Sequence, residues 1–126
     1  MPEKHLMKFN NNRRYNSFVG YFKEKYGSRL QKIVIDAGFT CPNRDGTAGL
    51  GGCTYCDNEA FHPSYSTPDK TILLQIEEGI KFHKNRYRKA SQYLAYFQPF
   101  SNTYAPIAEL REKYAQALSH PLIAGI

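Results

Sequence analysis

Three short runs of β-branched and apolar residues are separated by helix-periodic segments, and this alternation constrains the fold more than any other feature. The runs are "KIVID" at residues 32–36, "QYLAYFQ" at 92–98 and "LIAGI" at the end of the sequence. Each suits a buried, pleated surface and is bounded by turn residues. Between the first two, Ile72, Leu73, Ile76, Ile80, His83 and Tyr87 share one helical face. Thr67 is the expected N-cap of that helix, with Pro68 at its first position and an end near residue 88. Pro106 is expected to open the next helix, with Ile107, Leu110, Tyr114, Ala117 and Leu118 on one side. An earlier helix is predicted from the spacing of Tyr15, Phe18, Val19, Phe22 and Tyr26, capped by Asn16 or Ser17 and stopped by Gly27.

Strands that alternate with helices lie parallel and are joined by right-handed crossovers, so the predicted class is α/β. A parallel sheet ending at an unpaired strand carries an open edge, a known liability. A complete βα barrel needs about 200 residues or more. The chain has 126. The expectation is therefore the N-terminal portion of a TIM-like βα barrel, truncated. Residues 1–30 read as a basic arm and helix, and 31–126 as the incomplete barrel domain.

Hydrophobic residues make up 41% of the chain, enough for a core. No run approaches the roughly 18 apolar residues of a membrane span, and the N-terminus lacks a signal-peptide stretch. The expected location is cytoplasmic, without a membrane partner. Disulfides do not persist in that compartment, so clustered cysteines there point to metal or catalysis.

All three cysteines lie in "CPNRDGTAGLGGCTYC", with eleven residues between Cys41 and Cys53 and two between Cys53 and Cys56. Thiolates are metal ligands, and C-x-x-C brings two sulfurs to one ion or cluster. Glycines 46, 49, 51 and 52 let the loop curl tightly. The loop directly follows the first predicted strand, on the face where barrel active sites sit. A structural zinc site wants a fourth ligand, for which His62 is the nearest candidate. Three thiols alone would leave one iron of a cluster open to substrate or cofactor. Arg44 and Asp45 read as turn residues, with a contact from Arg44 to cofactor or substrate as the alternative. Asp36 either hydrogen-bonds the loop or closes the strand end.

The stretch "IDAGFTCPNRDGTAGLGGCTYC" resembles the cluster loop of radical S-adenosylmethionine (SAM) enzymes, closest to the bacterial branch similar to the catalytic subunit of elongator. The resemblance runs from about Tyr15 to the C-terminus through "YFQPFSNTYAP". It implies a 4Fe-4S cluster held by Cys41, Cys53 and Cys56, with S-adenosyl-L-methionine on the fourth iron. It also implies reductive cleavage of that cofactor to a 5′-deoxyadenosyl radical, which abstracts hydrogen from a substrate. A one-electron reductant such as flavodoxin or ferredoxin is the implied partner. Tyr55, before the last ligand, would lie near the adenine. Many members carry Gly-Gly-Glu after the second strand for the cofactor's amino group. Here that place reads "FQPFSNTY", and Gln98, Ser101, Asn102 and Thr103 are the candidates to bind it. The first gap of eleven residues, where most members have three, fits the elongator-like branch.

Charge supplies a second reading. Net charge is +6, and residues 1–32 carry eight Lys/Arg against Glu3 and Glu24. A further basic run, "KFHKNRYRK", occupies residues 81–89. With Phe9, Tyr15, Phe82 and Tyr87 interleaved, these segments could bind nucleic acid or could be solvated faces. The alternative function is thus a small zinc-binding, basic RNA-binding module built on Cys41, Cys53, Cys56 and His62. RNA is also a candidate substrate for the enzyme reading. Tyr15, Phe18 and Phe22 are expected in the core rather than on a base-stacking platform.

Overall fold

Helix α1, Phe18–Tyr26, opens on Ser17, whose Oγ accepts the Gly20 N–H at 2.9 Å. It closes on Gly27 at φ 74°, a left-handed position that suits glycine. Strand β1, Leu30–Ile35, follows within three residues. This computed structural model describes residues 13–86 and 89–126. The expectations that fall on Lys4, Lys8, Phe9, Tyr87 and Arg88 lie outside the described residues.

After the cysteine segment come α2, Ile72–Lys84, and β2, Gln92–Phe97. They are followed by α3, Ile107–Leu118, and β3, Ile123–Gly125. The three strands form one sheet in the order β1-β2-β3, with both pairings parallel. The α/β class and the parallel alternation are as expected from the sequence.

Ile33, Ile35, Tyr93, Ala95 and Ile123 are buried with Ile72 and Ile76 of α2 and Ala117 of α3 in one core. Both crossover helices therefore cover the same face of the sheet. Gly79 brings α2 onto β1: a Cβ there would lie 2.5 Å from Ile33 Cγ2. On the opposite face, Lys32 Nζ sits 5.0 Å from the Phe18 ring and 4.7 Å from the Tyr96 ring.

Two local expectations are corrected. Helix α2 is capped by Thr71, whose Oγ1 accepts the Leu74 N–H at 3.2 Å, and not by Thr67. Residues 67–70 instead form a turn, Lys70 N–H to Thr67 O at 3.2 Å, because Gln75 Nε2 captures the Lys70 carbonyl at 3.1 Å. The helix also stops at Lys84 rather than near residue 88. The second correction concerns α1, which buries none of its residues completely. Phe18, at the start of α1, and Tyr15, just before it, are 40% and 60% exposed, and among the described residues α1 packs mainly on β1.

Candidate functional site

The cysteine segment leaves the carboxyl end of β1 and returns to α2, and one side chain holds both its ends. Gln75 is fully buried on the inner face of α2. Its Oε1 accepts the Asp36 N–H at 2.9 Å and the Ser66 hydroxyl at 3.3 Å. Its Nε2 donates to Asp36 O at 2.8 Å and to Lys70 O at 3.1 Å. Sequence reading missed this residue. The available signal was a polar residue on the apolar stripe, three positions from Ile72.

Asp36 is buried. Its Oδ1 accepts the Gly38 N–H at 2.9 Å, and its Oδ2 lies 3.4 Å from His62 Nε2. Both sequence readings of Asp36 meet here, since it closes the strand end and also grips the segment after the thiols. His62 is turned to this carboxylate.

Within the loop, Cys41 O accepts N–H groups from Arg44 and Asp45 at 2.8 and 3.0 Å. Pro42 O accepts from Ala48 at 2.8 Å, and Asn43 O from Gly52 at 2.9 Å. These tight turns fold the eleven-residue gap back on itself. Asp45 anchors the turn through Thr47 and Thr40, whose N–H and hydroxyl donate at 2.9 and 2.8 Å. Those bonds, Thr47 first, hold its carboxyl below the usual range. Arg44 acts as a brace. Its guanidinium donates to Cys56 O at 2.9 Å and lies over Gly52, where a Cβ would come within 2.7 Å of Cζ. Gly52 has φ 78°.

None of the three cysteines is in a disulfide; Cys41 and Cys53 are half-buried and Cys56 is exposed. Each sulfur has its own polar neighbours. The Ser101 hydroxyl, and after it the Asn43 main-chain N–H, hold the Cys41 thiol below its ordinary value. Asn43 Nδ2 donates to Cys53 Sγ at 3.4 Å. Cys56 Sγ donates to Asn58 Oδ1 at 3.8 Å. Tyr55 is 89% exposed, with its phenol hydrogen-bonded to Cys53, which pushes its pKa up.

The loop after β2 lies against this segment. Gln98 N–H donates to Ile35 O at 3.4 Å, and Ser101 N–H to Thr40 O at 3.1 Å. Phe100 N–H donates to Asn58 Oδ1 at 3.3 Å, and Tyr104 OH to Thr47 Oγ1 at 3.1 Å. Phe100 is the one non-glycine residue with positive φ, 62°, among the described residues. Asn102 donates through Nδ2 to Phe97 O at 3.0 Å and accepts the Tyr114 hydroxyl at its main-chain oxygen. Its Oδ1 is buried with no hydrogen-bond partner. Thr103 is exposed. The structure thus brings Ser101 to the thiols, places Tyr55 on Cys53 and Gln98 beside the end of β1, and leaves Asn102 with a spare acceptor.

Among the described residues, no three His, Cys, Asp or Glu side chains converge on a single-ion site. A cluster asks for a different arrangement, because each thiolate bonds its own iron. Three unbridged thiols in one loop, each with a polar partner, fit that donor set. The orphaned Asn102 Oδ1 fits a donor on a bound cofactor. A cleft of about 270 Å³ between α2 and α3 contains no thiol; its Lys113 pairs with Glu109 at 3.7 Å and donates to Ala37 O at 2.7 Å.

The chain is 38% identical over 111 residues to YhcC of Escherichia coli K12, which covers 88% of this chain and 34% of YhcC. It is 36% identical over 117 residues to YtqA of Bacillus subtilis, covering 93% of this chain and 36% of YtqA. It is 29% identical over 108 residues to MJ0486 of Methanocaldococcus jannaschii, covering 84% of this chain and 32% of MJ0486. The chain spans about a third of the length of these curated relatives. The matches take in most of the chain. No family model matches it, and no solved structure does. No helix among the described residues is long and apolar enough to cross a membrane.

Proposed function

We propose that this chain is the N-terminal part of a radical SAM enzyme barrel, with Cys41, Cys53 and Cys56 as ligands of a 4Fe-4S cluster. The observation that carries the reading is the placement of all three thiols in one turn-rich loop at the carboxyl end of β1, against the loop after β2. Sequential strand order with both crossover helices on one face supports a singly wound sheet of the kind that closes into a barrel. The relatives are long enough to supply the remaining units.

The chemistry supplied by the bound group is one-electron cleavage of S-adenosyl-L-methionine to a carbon radical, with the electron from a flavodoxin- or ferredoxin-type donor. The chain's own residues position and shield. Gln75 and Asp36 fix the base of the loop, and Arg44 braces the Cys56 end. Asn102 Oδ1 is the acceptor offered to the cofactor's amino group, with Gln98 and Thr103 on the same loop. Tyr55, hydrogen-bonded to Cys53, would flank the cofactor's adenine. RNA is the substrate class to test first. Exposed Tyr15 and Tyr21 have Arg13 at 5.8 Å and Lys25 at 5.7 Å over their rings, a surface suited to unpaired bases.

The test is anaerobic reconstitution with iron and sulfide, followed by electron paramagnetic resonance of the reduced protein with and without S-adenosyl-L-methionine. A 4Fe-4S signal that shifts with the cofactor, and is lost in Cys53→Ala, is the expected result. One zinc per chain and no iron would overturn the reading in favour of a zinc-binding module.

A further inference from the structure

Asn43 lies in the turn between Cys41 and Cys53 and hydrogen-bonds the Cys53 sulfur. Its side-chain Nδ2 donates to Cys53 Sγ at 3.4 Å. Its carbonyl accepts the Gly52 N–H at 2.9 Å, which ties it to the residue before Cys53. Gly49 packs against it, with a Cβ there only 3.6 Å from Asn43 O. By sequence, Asn43 is one member of a Pro-Asn-Arg-Asp-Gly turn, and nothing marks it from Arg44 or Asp45.

We propose that Asn43 is a positioning residue of the metal centre, whose side-chain N–H fixes the Cys53 sulfur against the turn that precedes it and stabilises charge on that sulfur. The inference rests on the cluster reading above. Sulfur accepts such a bond whether or not it is ligated, and a charged acceptor strengthens it. Donors to ligating sulfur stabilise the more negative, reduced form of a cluster, so they raise its reduction potential. The other three cysteine neighbours differ. Ser101 reaches Cys41 from the loop after β2, Asn58 meets Cys56 through its acceptor oxygen, and the Tyr55 phenol meets Cys53 from an 89% exposed side chain. Asn43 is held inside the loop by its own main-chain bond to Gly52.

The test compares wild type, Asn43→Ala and Asn43→Asp after reconstitution. Reduction potentials are read by spectroelectrochemical titration, and unfolding of the metal-free proteins is followed by circular dichroism. Asn43→Ala removes the side-chain donor. Asn43→Asp keeps its shape and replaces the donor with a charge of the wrong sign. The expected result is a potential shifted to more negative values in Asn43→Ala and further in Asn43→Asp, with unchanged unfolding midpoints. Failure of both variants to assemble a cluster, at unchanged midpoints, also supports the assignment. Equal potentials in all three proteins overturn it, as does cluster loss that follows a general loss of fold. A wild-type protein that binds no iron overturns the proposed function and this assignment together, so the two failures are told apart by the wild-type control.

Discussion

Gln75 and Asp36 are paired as two strands would be: the Gln75 side-chain amide accepts the Asp36 N–H at 2.9 Å and donates to the Asp36 carbonyl at 2.8 Å. The strand ladder ends at Ile35, so the next residue would carry two buried main-chain groups without sheet partners. A helix side chain supplies both. The same amide holds Ser66 and Lys70, and the whole segment from residue 36 to residue 70 is gathered at one fully buried point.

Gln75→Leu keeps the volume and removes all four bonds. Each buried group left unsatisfied costs about 1–3 kcal/mol, so an overall loss of roughly 3 kcal/mol or more is expected in urea unfolding. Gln75→Glu places a carboxylate against the Asp36 carbonyl, which favours the protonated acid. Its folded-state pKa is then raised above the unfolded value. The folded form binds the extra proton, and this variant regains stability as pH falls from 7 towards 5. A flat or inverted dependence would contradict the pairing.

Gly79→Ala tests the approach of α2 to β1. The added methyl would lie 2.5 Å from Ile33 Cγ2 and 2.9 Å from Tyr65 Cε2. Helix propensity favours alanine by about 1 kcal/mol, but overpacking a core costs about 1–3 kcal/mol. Both neighbours are buried, so the clash wins and thermal unfolding moves to lower temperature.

Gly52→Ala should disturb the loop and spare the fold. A side chain at φ 78° is disfavoured by about 1–2 kcal/mol, and this one would displace the Arg44 guanidinium from the Cys56 carbonyl. Iron incorporated per chain is expected to fall while the unfolding midpoint of the metal-free protein stays close to wild type. Arg44→Met should give the same phenotype without backbone strain.

His83 predicts a pH dependence. It is half-buried at the end of α2, and burial, then the nearby Arg86 charge, push its pKa down. The unfolded chain, with histidine near 6.5, therefore binds the proton more readily than the folded one. Stability attributable to this side chain is full above that value and is lost as pH falls through it towards the lower, folded-state pKa. Thermal midpoints from pH 7.5 to 5.5 should decline less steeply in His83→Gln than in wild type.

The elements and the candidate ligands are legible in the residue pattern alone. Short apolar runs bounded by turn residues marked β1, β2 and β3, period 3.6 marked the three helices, and Ser17 and Gly27 bounded α1 as their chemistry requires. Three thiols in one glycine-rich segment named the candidate ligands without any coordinates. The tertiary structure decided which polar side chains meet. Thr71 displaced Thr67 as cap because Gln75, a full turn inside the helix, captured the Lys70 carbonyl. Asn43 reached Cys53, Ser101 reached Cys41, and His62 turned to Asp36. Apolar periodicity is a local signal, written by burying one face of one element. A hydrogen bond between residues 39 positions apart leaves no period in the chain, because its partners are chosen by geometry that exists only after the sheet and helices have packed.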